Sequence, residues 1–148
     1  FNSEGKNVRT FYRNISLESY KSSKRFTQTK STLAWWEKQD IKAKEVLLSD
    51  QVLLKDALLE LSNFIIPGSR VWGNGASFDN SILTYAYNVV ELSLPWTFKN
   101  DRCYRTINNM FVKEQASFEG IPHYALDDAI YQAKHLIDLS RTFNFELK

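Results

Sequence analysis

The sequence has one cysteine, one methionine, three prolines and five glycines among its 148 residues, and it lacks both a long apolar run and a large net charge. Because a single cysteine cannot form an internal disulfide bond, Cys103 indicates a reducing compartment, and we expect a cytoplasmic protein. No apolar run approaches the about 18 residues of a transmembrane helix, and no secretory signal is visible. Neither a membrane span nor secretion is therefore expected.

The charge balance limits the class of partner. Nineteen basic residues against seventeen acidic residues give a formal net charge of +2. A protein that coats nucleic acid with its whole surface is far more basic, so any contact with nucleic acid must be local. The hydrophobic fraction of 43% and the aromatic fraction of 14% are ample for a buried core. One domain over residues 1–148 is predicted.

The beginning of the chain resembles the middle of a hairpin. Phe1 is followed by a polar turn and then by a β-branched and aromatic run at residues 8–15, which predicts a strand. A turn of this composition typically joins two strands. We therefore expect that a preceding strand is missing and that the domain is N-terminally incomplete.

Apolar spacing and turn residues predict helices that alternate with strands. Residues 16–30 are polar and basic, which favours an exposed loop over a contact with backbone phosphates. Helices are predicted from Ser31 or Thr32 to Gln39, from Asp40 to Leu48, from Asp50 to a stop near Pro67, and over residues 78–90, 106–112 and 124–143, with strands at 70–73 and 102–104. This order argues for a single α/β domain.

The adjacent tryptophans Trp35 and Trp36 point to different faces of their predicted helix. At most one of them is then well placed in the core, while its neighbour sits at an edge or in a groove. Structural packing of both is the favoured interpretation. Stacking of one ring on a nucleobase is the alternative.

Two aspartates lie at positions that suit a metal site. Asp79 and Asp128 each begin a predicted helix, where the helix dipole stabilises a carboxylate that can project toward a common edge of the sheet. Mg²⁺ and Mn²⁺ prefer oxygen ligands, and a pair of such ions about 3.5 to 4 Å apart stabilises the attacking and leaving oxygens of phosphodiester hydrolysis. Both aspartates are predicted ligands of Mg²⁺ or Mn²⁺.

His123 lies five positions before Asp128, in a segment flanked by glycine and proline. Since an imidazole with an ordinary pKa near 6.5 is largely neutral at physiological pH, His123 is the natural general base. By spacing alone, an exposed loop histidine followed by a helix-capping aspartate is the favoured explanation of the pair, because this spacing is common. The other histidine, His135, is predicted to mark the surface of the last helix.

Taken together, these segments resemble two motifs of the DEDDh exonucleases. Trp-Gly-Asn-Gly-Ala-Ser-Phe-Asp at residues 72–79 resembles the second motif, and His-Tyr-Ala-Leu-Asp-Asp at residues 123–128 resembles the third, HxAxxD. That family removes nucleotides from 3′ ends with two metal ions. The resemblance implies an α/β fold with a ribonuclease H-like mixed sheet flanked by helices, and it makes Asp128, rather than Asp127, the metal ligand.

More narrowly, the segments 32–39, 74–79 and 102–106 are similar to prophage and bacterial exodeoxyribonuclease VIII-like proteins and to a related mycobacterial exoribonuclease. The implied partner is the 3′ end of DNA or RNA, and assembly of the chain into a homo-oligomer is left open. The candidates for substrate contact are Trp35, Trp36, Asn74, Phe78 and Arg105.

The first motif of the family, an Asp-x-Glu pair on the opening strand, is absent from residues 1–148, and Gly75 stands where many relatives have asparagine. Two explanations compete. The favoured one is that the chain is a fragment whose opening strand is missing, so that these residues alone have little or no activity. The other is a degenerate relative that binds nucleic acid or a protein without catalysis.

Overall fold

The computed structural model describes residues 1–2, 4–6, 8–21, 26–111 and 117–147, of which residues 20 and 21 are described by their backbone alone. In chain order the elements are β1 (Asn14–Ile15), α1 (Glu18–Lys21), α2 (Lys30–Glu37), α3 (Ile41–Val46), β2 (Gln51–Val52), α4 (Leu54–Phe64), β3 (Val71–Gly73), α5 (Asp79–Val89), β4 (Asp101–Cys103), α6 (Tyr104–Met110) and α7 (Ala125–Phe143). The alternation of helices and strands agrees with the predicted α/β class.

The strands form two two-stranded parallel sheets. β1 pairs with β2, and β3 pairs with β4 so that Val71 lies opposite Asp101 and Gly73 opposite Cys103. Since β3 and β4 are parallel, their carboxyl ends meet at one edge. The predicted single mixed sheet is not formed by the described residues, because none of their strands bridges the two pairs.

Short polar side chains define where several helices begin and end. The Thr29 hydroxyl accepts a hydrogen bond from the Thr32 amide at 3.1 Å and caps α2, and the Asp40 carboxylate accepts one from Lys42 at 2.8 Å and caps α3. Asn144, with φ of 50°, ends α7 in the left-handed conformation that asparagine tolerates well. In the part of the chain that the structure describes, no helix is long and apolar enough to cross a membrane.

The main core lies between α4, α5 and the segment that follows α5. Its buried members are Leu54, Leu58, Ala86, Tyr87 and Trp96. The Tyr87 hydroxyl donates to the Leu58 carbonyl at 2.9 Å, so the one polar atom of this fully buried ring has a partner. The apolar sides of α4 and α5 thus pack against each other in this core.

The strand predicted at residues 8–15 is much shorter in the structure, where only Asn14–Ile15 pair with another strand. The preceding residues pack instead on α4: the rings of Phe11 and Phe64 are 5.4 Å apart, and the Arg13 guanidinium forms an ion pair with Glu60 at 2.6 Å. A β-rich composition alone does not make a strand, because the ladder needs a partner segment.

Other boundaries also differ from the prediction. The loop predicted at residues 16–30 contains α1, while residues 22–25 lie outside the described part. Helix α4 begins at Leu54 rather than Asp50, because Gln51–Val52 pair with β1. The N-cap of α2 is Thr29 and not Ser31 or Thr32. Helix α6 begins at Tyr104, two residues before the predicted start, and Val112 lies outside the described part.

The prediction that His135 lies at the surface is wrong, because the residue is only 7% exposed. Its Nδ1 atom shares a hydrogen bond of 2.8 Å with the Tyr104 hydroxyl, and its ring stacks against Tyr131 at 6.5 Å between centroids. The polar partner on α6 lets an imidazole be buried on α7. Burial raises the pKa of the Tyr104 phenol, which stays protonated at neutral pH.

A buried asparagine joins β3, β4 and α5. Asn80 is 3% exposed, and its side-chain amide donates to the Val71 carbonyl at 3.0 Å and to the Asp101 carboxylate at 2.8 Å. The same carboxylate oxygen accepts a hydrogen bond from the Trp96 indole at 2.9 Å. Both amide hydrogens of Asn80 are therefore used, and the first turn of α5 is tied to both strands.

We expect Asn80→Ala to lower the free energy of unfolding by about 1–3 kcal/mol, because it leaves a buried carbonyl and part of a carboxylate without their donor. Urea denaturation followed by circular dichroism measures this. Asn88→Ala is the matched control, because Asn88 is exposed on the same helix, and its effect should stay within about 0.5 kcal/mol. Equal effects of the two substitutions would contradict the role given to Asn80.

Gly73→Ala should also destabilise the fold, by about 1–3 kcal/mol, because packed regions tolerate added atoms poorly. A Cβ at residue 73 would lie 2.6 Å from Asn80 Oδ1 and 3.0 Å from Asp79 Cβ. Gly75→Ala is the control, since a Cβ there meets Phe78 Cβ only at 3.8 Å and Arg105 Cζ at 4.0 Å. Thermal unfolding midpoints of the two variants compare them directly; a lower midpoint for Gly75→Ala than for Gly73→Ala would contradict the packing argument.

Candidate active site

The connection from β3 to α5 places Asp79 at the first position of that helix. One oxygen of its carboxylate accepts a hydrogen bond from the Gly75 amide at 2.9 Å, and the Asp79 amide donates to the Gly75 carbonyl at 2.8 Å. These two bonds close the loop upon itself. The carboxylate remains exposed and lines a cavity of about 470 Å³ together with Arg13 and mostly apolar side chains. Asp79 is thus held in place but accessible.

Gly73 makes the position of Asp79 possible. A Cβ at residue 73 would meet the side chains of Asp79 and Asn80, the first two residues of α5. Any side chain at this place would push the helix start away from the end of β3. The close approach explains why glycine stands before the Asn74 turn.

Arg105 lies beside the same loop. Its guanidinium carbon is 4.0 Å from the point where a Cβ on Gly75 would be, and the side chain is exposed at the start of α6. Cys103 ties β4 to this loop: hydrogen bonds from the Thr106 hydroxyl and from backbone amides, including that of Ala76, lower the pKa of its thiol, and burial opposes them in part. Arg105 thus places a positive charge next to the Asp79 loop, and Cys103 contacts the same loop.

Asn74 and Phe78 are both exposed on the connection, and Phe78 keeps 68% of its surface. Phe78 lines one side of a groove of about 490 Å³. The other lining residues are two aromatic rings, one isoleucine and four short polar side chains, namely Phe26, Tyr85, Ile82, Thr27, Gln28, Ser77 and Ser81. An open groove with ring faces, hydroxyls and an amide suits a flat heteroaromatic group.

His123 lies in the turn before α7, exposed, with φ of 68°. The turn is closed by a hydrogen bond of 3.0 Å from the Tyr124 amide to the Ile121 carbonyl. No hydrogen bond to the His123 ring is formed within the described residues, so the imidazole nitrogens are accessible to a ligand or to water.

The two neighbouring aspartates at the start of α7 have different surroundings. Asp127 turns back: its carboxylate accepts a hydrogen bond from the Ile121 amide at 2.8 Å and lies over Gly120, where a Cβ would come within 2.5 Å of it. Asp128 is half-buried, and no described residue donates a hydrogen bond to its carboxylate or forms an ion pair with it. The Asp127 carboxylate therefore helps to hold the loop, and the oxygens of Asp128 are available to a ligand.

Neither tryptophan of α2 is buried. Trp35 keeps 44% of its surface and packs against the His123 ring, with 4.8 Å between ring centroids and 75° between planes. Trp36 meets Trp35 edge to face at 5.1 Å. The two rings do pack on neighbouring side chains, but neither reaches the core, because α2 lies at the periphery and buries none of its residues.

The predicted site residues fall into two groups. Asn74, Phe78, Asp79 and Arg105 surround the carboxyl edge of β3 and β4, whereas Trp35, Trp36, His123 and Asp128 lie around the start of α7. Within the described part, no hydrogen bond, ion pair or ring contact joins Asp79 to His123 or Asp128, and no three potential metal-ligating side chains of histidine, cysteine, aspartate or glutamate cluster.

Sequence reasoning missed the residues that hold the site. Asn80 follows a candidate metal ligand, but nothing in its neighbourhood shows that its partners are Val71 and Asp101, nine and twenty-one positions away. The Gly120–Asp127 contact had a weak signal, a glycine at the start of the loop that precedes a helix. That signal did not indicate which of the two aspartates meets the glycine.

Comparison with known proteins supplies the family. A search of curated proteins and a search of solved structures each returned no match. A family model described as the 3'-5' exoribonuclease Rv2179c-like domain matches residues 1–139. Because this match spans nearly all of the 148 residues, the chain belongs to the Rv2179c-like family of 3'-5' exoribonuclease domains.

Proposed function

We propose that the protein is a metal-dependent 3′-to-5′ exonuclease of the DEDDh type, in which Asp79 and Asp128 bind metal and His123 is the general base. The family match over residues 1–139 is the observation that carries the reaction class. The different surroundings of Asp127 and Asp128 support the choice of Asp128 as the metal ligand. We further propose a ribonuclease H-like arrangement of the sheet and a relationship to the prophage exodeoxyribonuclease VIII-like enzymes.

Asp128 is the better metal ligand of the pair at the start of α7. The Asp127 carboxylate accepts the Ile121 amide and lies against Gly120, so the loop holds it turned back from the start of the helix. Asp128 makes no such bond within the described residues and lies in the first turn of a 19-residue helix, where the dipole favours a negative charge. Its oxygens are available without a change in the loop.

Asp79 fits the second ligand position. Its carboxylate is exposed and oriented by the Gly75 amide, which occupies one oxygen and leaves the other open. A hydrogen bond of this kind fixes the rotamer before a cation arrives. Hard oxygen ligands such as these suit Mg²⁺ or Mn²⁺, which would supply charge stabilisation for the phosphate when bound. We propose that further ligands come from groups other than these two aspartates, because two carboxylates are too few for a pair of ions.

His123 is suited to accept the proton of the attacking water. The imidazole is exposed, and no described residue engages its nitrogens in a hydrogen bond. The general base of a hydrolysis must be neutral and accessible at the working pH, and histidine has the ordinary pKa closest to that range. The loop carries this group beside the start of the helix that bears Asp128.

The substrate contacts follow the chemistry of the exposed groups. Arg105 can pair with a backbone phosphate next to Asp79, and Phe78 offers an exposed ring on which a nucleobase can stack. We propose that the 3′ end enters along the groove beside Phe78, with Asn74 and Trp36 as additional contacts. A single strand fits this groove better than a duplex, because stacking requires splayed bases.

The reaction is tested by a nuclease assay on the full-length protein with 5′-labelled single-stranded DNA and RNA. We expect stepwise shortening from the 3′ end with Mg²⁺ or Mn²⁺ and none with a chelator. Asp128→Ala should reduce the rate by about 10²-fold or more, the loss expected for several kcal/mol of charge stabilisation. Binding without metal dependence or shortening would instead favour a non-catalytic nucleic-acid-binding protein.

Asp127→Ala is the matched control for this assay. It should lower the free energy of unfolding by about 1 kcal/mol, because the Ile121 amide loses its acceptor, whereas Asp128→Ala breaks no hydrogen bond within the described residues and should cost less. Urea denaturation separates the two variants. If Asp127→Ala abolished activity while Asp128→Ala left it intact, the assignment of the ligand would be reversed.

His123→Ala should slow the hydrolysis by about 10² to 10⁴-fold, the usual contribution of a general base. Because the ring makes no hydrogen bond within the described residues and loses only its contact with Trp35, the substitution should lower thermal stability only slightly. His135→Ala is the control for a buried histidine: it removes a ring that bonds to Tyr104 and should lower the thermal midpoint. An unchanged rate in His123→Ala would refute the role of the base.

A further inference from the structure

The loop that carries His123 is held in a conformation that its own residues do not favour. His123 has φ of 68°, in the left-handed region that L residues other than glycine rarely adopt. Strain of this kind persists where surrounding contacts determine the backbone. The turn hydrogen bond from Tyr124 to Ile121 accounts for the backbone, but it does not orient the imidazole.

The ring contact of His123 is made by Trp35. The two centroids are 4.8 Å apart and the planes meet at 75°, which is the edge-to-face geometry that aromatic pairs prefer. No hydrogen bond from a described residue competes for the imidazole. The indole is therefore the group that limits rotation of the His123 ring.

Core formation does not explain the position of Trp35. None of the residues of α2 is buried, and Trp35 keeps 44% of its surface. The end of the helix is nevertheless fixed, because the Gln39 side-chain amide donates to the Trp35 carbonyl at 2.8 Å and Lys44 Nζ donates to the Glu37 carbonyl at 3.2 Å. Helix α2 buries none of its residues, but its fixed last turn places the Trp35 indole against the His123 imidazole.

A second aromatic pair holds the neighbouring residue. Tyr12 meets Tyr124 edge to face, with 4.8 Å between centroids and 70° between planes. Tyr124 is also the N-cap residue of α7. The dipeptide of His123 and Tyr124 is thus contacted by one ring from α2 and one from the segment before β1, and each contact concerns a different side chain.

We propose that Trp35 is a positioning residue that holds the imidazole of the general base in its working orientation. This inference rests on the proposed role of His123 and assigns Trp35 to the histidine rather than to a nucleobase. Removing the indole frees rotation about the His123 side chain. The rate then falls because the base is correctly oriented for less of the time, while binding of the nucleic acid changes little.

Proton NMR tests the contact without reference to activity, since the protein contains only two histidines. The ring current of Trp35 should displace the His123 imidazole resonance, and Trp35→Ala should return it to the position of an exposed histidine. Trp35→Phe should keep part of the displacement. Leu33→Ala, an exposed residue of the same helix, is the matched control. The buried His135 resonance reports that each variant remains folded.

Kinetics of the full-length protein test the consequence. Trp35→Ala should lower kcat by about two- to tenfold, the factor that corresponds to one aromatic pair, with KM nearly unchanged, and Trp35→Phe should restore most of the rate. A rise in KM at constant kcat would overturn the proposal and return Trp35 to substrate stacking. An unmoved His123 resonance in Trp35→Ala would overturn it at the structural level.

The two measurements separate this inference from the proposed function. If the full-length protein shortened no substrate but the resonance of His123 moved in Trp35→Ala, the exonuclease proposal would fail, and with it a role for Trp35 in that reaction. If shortening were robust and His123→Ala abolished it, while Trp35→Ala changed neither resonance nor kcat, only the positioning role would fail.

Discussion

The buried amide of Asn80 is the contact on which the Asp79 part of the candidate active site depends. With two donors it bonds to a carbonyl of β3 and to the carboxylate that begins β4, and it is itself the second residue of α5. A buried amide that used only one hydrogen would lose about as much as it gained, so the network stabilises the fold when both bonds form. One side chain therefore ties the start of the helix to both strands.

The position of Asp79 follows from this constraint. Asp79 directly precedes Asn80, so tying Asn80 to the strands brings the Asp79 carboxylate over the end of β3, where Gly73 leaves space for it. The parallel pairing then brings the end of β4 to the same edge, and with it Cys103 and Arg105. The acidic Asp79 and the basic Arg105 thus lie at the same edge, and the hydrogen bonds of Asn80 hold the start of α5 there.

The sequence predicted the elements whose information is local. Helices α5 and α7 have a long apolar stripe, and the Asp40 cap of α3 lies one residue before the helix it begins. The pairing of Asn14 with Gln51 could not be predicted, since a two-residue strand exists only through a partner far along the chain. The prediction that His135 lies at the surface is wrong for the same reason, because the hydroxyl that permits its burial belongs to a residue 31 positions earlier.

The loop before α7 gives the neighbouring aspartates Asp127 and Asp128 different surroundings. The resemblance to the HxAxxD motif selects Asp128 as the ligand, and in the structure it is the Asp127 carboxylate that turns back over Gly120, which has φ of 125°, and accepts the Ile121 amide. Once Asp127 is committed to that bond, the helical geometry turns the next side chain by about 100° to another face. Asp128 is thereby kept from closing the loop, and its charge remains available for a ligand.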